Sequence, residues 1–265
     1  MKCGPLPVLK PAGDGRPPPC GRFEDLIAAH QDGAVNKGPH ELPFVLEVPA
    51  EGLVVERVGE LDLYRPADAA KPLPAVVFVH GPVPAEAVRP LDWPSYQGYG
   101  RLAATRGLVG VTIDLDYPHP MAWPAAAEAL GKLVDAVRSR PEVDGDRMAL
   151  WAFSGGGLLV GHWLGDAPDW LRCVALSYPY VNTSPSDGEV LDPTLPVVLT
   201  RVGRERPEVQ ATVDAFMAIA ATVDAAVEVI DVPEGQHGFD VLDPGPRSRE
   251  ALVEAMDAVQ RHLRP

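Results

Sequence analysis

Apolar positions in this chain come in two kinds of run. Residues 75–80, 108–115, 148–153, 173–178 and 196–200 are short and largely apolar, the pattern of strands buried on both faces, and 226–231, which carries Glu228 and Asp231, reads as a further strand. Between them lie stretches with helical spacing, at 99–105, 124–138, 156–164, 208–223 and 249–263. In the last of these Leu252, Val253, Met256, Val259 and Leu263 share one face, as a helix packed on a sheet requires. Strand and helix in alternation predict an α/β domain, with a mostly parallel central sheet and helices on both faces. Upstream, residues 44–48, 53–58 and 61–64 alternate apolar and polar side chains, which predicts an antiparallel N-terminal edge. No internal repeat is present.

The first 43 residues have a different texture. Pro5, Pro7, Pro11 and the triplet Pro17-Pro18-Pro19 favour an extended, irregular arm, followed by a short predicted helix at 22–30. The expected division is therefore an arm over 1–43 and one compact domain over 44–265. Two resting places suit the arm, the mouth of the site or a second subunit, and the second makes a homodimer an expected assembly. A passive tail is the other expectation.

Charge and cysteine usage narrow the class of partner. A net charge of −14 and a pI near 4.8 argue against nucleic acid and anionic membrane. No run of 18 apolar residues occurs, and Met1-Lys2-Cys3-Gly4-Pro5 lacks the apolar core of a signal peptide, so a soluble, cytoplasmic protein is expected. Cys3, Cys20 and Cys173 suit a reducing compartment, with Cys173 predicted in the core. Neither Cys-x-x-Cys nor His-x-x-x-His spacing occurs, so no metal is expected, and no motif calls for a cofactor.

The chemistry concentrates where the run at 148–153 stops at Ser154 and turns into Gly155-Gly156-Gly157. A serine between a buried strand and a helix occupies a sharp, crowded turn. Such a turn needs small neighbours and leaves the hydroxyl clear of the backbone. This is the nucleophile-elbow pattern Gly-x-Ser-x-Gly, with Ala152 in place of the first glycine. A glycine-rich turn before a helix can also cradle a phosphate. A dinucleotide loop, however, would carry Gly-x-Gly-x-x-Gly and an acidic residue ending the next strand, which here ends at Tyr178. A P-loop would need Gly-Lys-Ser or Gly-Lys-Thr, absent from this turn.

Groups able to activate a serine follow downstream. A hydroxyl becomes a useful nucleophile when an imidazole takes its proton, and the imidazole needs a carboxylate to fix its tautomer. His237 lies between two glycine-flanked positions in Gly235-Gln236-His237-Gly238, after the last strand. His30, His40, His119, His162 and His262 sit in the arm, in a proline-bounded loop or in predicted helices; His80 ends the first parallel strand and is expected to shape the loop beside the site. Glu205, just beyond the strand at 196–200, is the favoured acid, with Glu208, Asp187 and Asp192 as alternatives.

Three segments together, Phe78-Val79-His80-Gly81, Asp146 through Ser154, and Gly235-Gln236-His237-Gly238-Phe239, carry a resemblance to a known family. From about Leu61 onward the chain resembles the α/β-hydrolase superfamily, most closely its dienelactone-hydrolase-like and carboxylesterase branch. Dienelactone hydrolases use a cysteine nucleophile where this chain has Ser154, so the resemblance implies an esterase-like relative. It implies the α/β-hydrolase fold and the chain order serine, acid, histidine.

The oxyanion site departs from that pattern. One donor should be the N–H of Gly155, and the other should come from the loop His80-Gly81-Pro82-Val83-Pro84. Proline has no N–H, which leaves Gly81 or Val83 as the expected second donor. Only residues 179–194 separate Tyr178 from the next strand, too few for a large cap, so an open pocket is expected. Trp93, Tyr96, Trp123, Phe153, Tyr178 and Tyr180 are candidates to line it. The expected function is hydrolysis of a small carboxylic ester, lactone or thioester through an acyl-enzyme. Acyl transfer or cyclisation on the same scaffold, and ligand binding without catalysis, stand beside it.

Overall fold

The computed structural model describes residues 41–181 and 191–264. Residues 1–40 of the arm, with its expected short helix, and most of the connection after Tyr178 lie outside the described residues, as does Asp187.

Eight strands form one sheet in the order β1-β2-β4-β3-β5-β6-β7-β8. They are β1 (Leu53–Val58), β2 (Leu61–Pro66), β3 (Leu73–Val79), β4 (Val109–Ile113), β5 (Val143–Phe153), β6 (Leu171–Ser177), β7 (Val197–Arg204) and β8 (Val227–Gln236). β1 and β2 pair antiparallel, β2 joins β4 antiparallel, and every pairing from β4 to β8 is parallel. The helices are α1 (Pro94–Thr105), α2 (Trp123–Arg138), α3 (Gly161–Gly165), α4 (Pro207–Thr222), α5 (Phe239–Leu242) and α6 (Pro246–Leu263). The central strands alternate their side chains between two cores. Val77, Val79, Leu150 and Ala152 face one, while Val76, Phe78, Ala149 and Trp151 face the other. Burial on both faces is why these strands read as continuous apolar runs.

Three expectations need correction. Residues 44–48 do not form a strand: Pro43 and Pro49 bracket them and cannot donate to a ladder. Phe44 instead wedges against Gly98 and Tyr99 of α1, and the Val45 N–H donates to the Asp240 carbonyl at 3.0 Å. The helix expected at 156–164 is a 3₁₀ turn over Ser154–Leu158 followed by the short α3, because a glycine triplet pays a large backbone entropy in an α-helix. The helix expected at 99–105 begins earlier, at Pro94, where a proline at the first position forfeits no intrahelical bond. Among the described residues no helix is long and apolar enough to cross a membrane.

Candidate active site

Ser154 follows the last residue of β5 and has φ 51°, in the left-handed region that L side chains rarely adopt. Such a conformation costs on the order of 1–3 kcal/mol and persists where the surroundings enforce it. Here the surroundings are backbone. A Cβ on Gly156 would stand 2.5 Å from the Val79 carbonyl oxygen, and one on Gly157 would stand 2.6 Å from that of Tyr180. The elbow closes only because these positions carry no side chain.

The partners arrive through strand pairing. β7 and β8 stay paired across a bulge that shifts their register, bringing Arg204 opposite Gln236, so the residues that follow the two strands, Glu205 and His237, emerge side by side. Gly203 permits this, since a Cβ there would collide with the Pro233 carbonyl oxygen. Ser154 Oγ donates to His237 Nε2 at 2.7 Å, and His237 Nδ1 donates to Glu205 Oε2 at 2.7 Å. A carboxylate only accepts, so the Nδ1 proton is fixed and Nε2 presents its lone pair to the hydroxyl. The other oxygen of Glu205 accepts the Arg206 N–H at 2.8 Å. The Glu205 side chain is 3% exposed and that of His237 21%, a relay shielded at one end and open at the other. Glu208 is exposed in the first turn of α4, and Asp192 precedes β7, with a carboxylate oxygen that accepts from Thr194. Neither is placed at the imidazole.

His80 is fully buried and holds the loop after β3. Its Nδ1 donates to the Gly81 carbonyl at 2.6 Å and its Nε2 accepts the Leu115 N–H at 2.9 Å. Val83 is corrected as an oxyanion donor: its N–H is spent on the Tyr117 carbonyl at 2.8 Å. Gly81 packs on the elbow, a Cβ on it standing 3.1 Å from the Gly155 nitrogen. Tyr117, which sequence reasoning did not single out, ties the two segments together, because its hydroxyl also donates to the Gly155 carbonyl at 3.3 Å. No spacing signal marks it, as its role arises from the pairing of β3 with β4.

Of the expected pocket residues, Trp93, Tyr96, Phe153 and Tyr178 form one aromatic band. Ring centroids are 5.2 Å apart for Trp93 and Tyr96, 5.6 Å for Tyr96 and Phe153, and 6.2 Å for Phe153 and Tyr178. Tyr178 then meets the His237 ring edge-on at 4.8 Å. All four are buried in the core beneath the site, whereas Trp123 and Tyr180 are exposed and stand outside the band. A groove of about 500 Å³ between residues 43–49 and α1 includes none of the three relay residues.

Behind the imidazole lies a buried carboxylate that sequence reasoning missed. Asp240 is 4% exposed and accepts from the Tyr99 hydroxyl at 2.9 Å and from the Tyr178 hydroxyl at 2.9 and 3.0 Å. Burial pushes its carboxyl above the ordinary value of 3.8, while the two hydroxyls act the other way. The folded state therefore holds this proton more tightly than the unfolded chain, and the resulting stabilisation is lost as pH rises through the folded value. The wild type is accordingly expected to lose stability relative to Asp240→Asn as pH rises from about 4, read as urea midpoints of both proteins. A difference constant with pH would place the carboxyl at its ordinary value.

Solved structures that superimpose on this chain include several described as esterases. A thermostable esterase from Pseudomonas putida ECU1011 superimposes with TM-score 0.65 at 18% identity, covering 83% of this chain and 86% of that one. Thermogutta terrifontis esterase 2, phosphorylated by paraoxon, gives 0.63 at 18% identity, covering 82% and 97%. An inhibited esterase B from Lactobacillus rhamnosis gives 0.61 at 17%, covering 81% and 89%. No family model and no curated protein matches the chain by sequence. The chain has the α/β-hydrolase fold, and at these identities the likeness is one of fold.

Proposed function

We propose that this chain is a serine hydrolase that cleaves small carboxylic esters, lactones or thioesters through an acyl-enzyme, in the dienelactone-hydrolase-like and carboxylesterase branch of its fold. The unbroken relay from Ser154 Oγ through His237 to Glu205, with both contacts at 2.7 Å, is the observation that carries this reading. Ser154 Oγ bonds to the acyl carbon while its proton passes to His237 Nε2 and the carbonyl electron pair moves onto oxygen. The leaving group departs with that proton, and water then enters by the same relay in reverse and releases the acid. The esterase neighbours, one of them phosphorylated by paraoxon, support the assignment. A ligand-binding protein would have no use for a serine held at φ 51° and aligned on an imidazole. The cytoplasmic location expected from the sequence is part of this proposal, and the buried Cys173, a free thiol whose pKa desolvation pushes up to about 12, is an inert core residue and no nucleophile.

The test is covalent. A fluorophosphonate is expected to abolish turnover of p-nitrophenyl acetate in step with modification of the peptide carrying Ser154. Modification elsewhere, or an active protein that resists the reagent, would remove the serine-hydrolase reading.

A further inference from the structure

We infer that Pro82 removes the second oxyanion donor, and that the site is thereby matched to acyl compounds with weakly basic leaving groups, thioesters and aryl esters, over alkyl esters. This rests on the serine-hydrolase reading above and adds a substrate class to it. In this fold the second donor comes from the loop after β3. The His80 carbonyl oxygen lies against the elbow, 2.9 Å from where a Gly156 Cβ would stand. In a trans peptide the N–H points opposite to the carbonyl, so the Gly81 N–H is turned away from the elbow, a correction to its expected role as donor. The Gly81 carbonyl is held on the other side by His80. By the same geometry the amide hydrogen of a residue at position 82 would point toward Gly155. Proline puts its Cδ there instead, and that carbon lies 2.6 Å from where a Gly155 Cβ would stand. No cis peptide bond occurs among the described residues to reverse the argument. With the Val83 N–H committed to Tyr117, the Gly155 N–H is the backbone donor left to the acyl oxygen from these segments.

A missing donor typically costs about 10²- to 10³-fold in rate, but the cost depends on how much charge the oxygen must hold and for how long. When Ser154 Oγ attacks, one carbonyl electron pair moves to oxygen and the serine proton goes to His237. The intermediate then collapses as the C–S or C–O bond breaks and the leaving group takes that proton. A thiolate or aryloxide leaves readily, so the intermediate needs little support. An alkoxide is expelled reluctantly, and the charged intermediate returns to reactants unless it is stabilised.

The experiment compares p-nitrophenyl acetate, phenyl acetate, ethyl thioacetate and ethyl acetate, each kcat/KM divided by the hydroxide-catalysed rate of the same compound. The wild type is expected to favour the aryl esters and the thioester over ethyl acetate by about 10²-fold or more after that correction. Pro82→Ala and Pro82→Gly are expected to raise turnover of ethyl acetate about 10- to 10³-fold and that of p-nitrophenyl acetate much less. Pro84→Ala, which loosens the same loop without facing Gly155, should change neither. A corrected wild-type series with no fall toward the alkyl ester overturns the inference, and this arm needs no variant to fold. So do folded Pro82 variants with ethyl acetate rates within about twofold of wild type. Fluorophosphonate labelling separates the two levels: an unlabelled Ser154 sinks the hydrolase reading, whereas a labelled enzyme with a flat series sinks only the role of Pro82.

Discussion

Ser154→Ala is expected to lower kcat/KM for p-nitrophenyl acetate by about 10⁴- to 10⁶-fold, with any residual rate coming from binding and the remaining oxyanion donor. The loss should fall on kcat, since the hydroxyl acts in bond formation and little in holding the substrate. Folding should be spared. Alanine removes one oxygen whose only hydrogen bond among the described residues is the one to His237, and the backbone at φ 51° is enforced by the contacts of Gly156 and Gly157. Stopped-flow or single-turnover kinetics on a variant with an unchanged unfolding midpoint would check it. A variant retaining more than about a tenth of wild-type turnover would show that the nucleophile is elsewhere.

Glu205→Gln is expected to cost about 10⁴-fold in kcat, and Glu208→Gln close to nothing. The asymmetry follows from tautomers. The Glu205 carboxylate accepts from Nδ1 and so leaves Nε2 unprotonated toward Ser154. A glutamine amide can donate to Nδ1 and place the proton on Nε2, where it can no longer receive the serine proton. Glu208, exposed on α4, has no such partner. Parallel kinetics of both variants provide the check, and equal, small losses would return the acid to another carboxylate.

Much of this molecule was legible in its sequence. Strands buried on both faces are apolar at most positions, so the buried stretches of β3 through β7 announced themselves as runs. The elbow was legible because a strained serine turn tolerates few residues, and Ser154-Gly155-Gly156-Gly157 satisfies it. Glu205 was favoured from its place just past a strand, although that argument could not by itself separate it from Glu208 three residues on. The segment at 44–48 misled because alternation of apolar and polar residues is as compatible with a loop that drops Phe44 and Val45 into the core as with a strand.

The sequence by itself determined the alternation of strand and helix, the identity of the serine and the histidine, and the absence of an N–H at position 82, since each is a property of local composition. The tertiary structure alone decided which groups meet. Glu205 faces His237 because β7 and β8 stay paired past the bulge at Gly203, a contact across 32 positions of chain. Asp240 is buried between Tyr99 and Tyr178 because α1 and the end of β6 converge on it from distant parts of the chain. Val83 lost its expected role to the Tyr117 carbonyl, which accepts its N–H. Hydrogen bonds are directional and short, so which donors a site keeps depends on ångström-scale orientations that residue types and spacings do not encode.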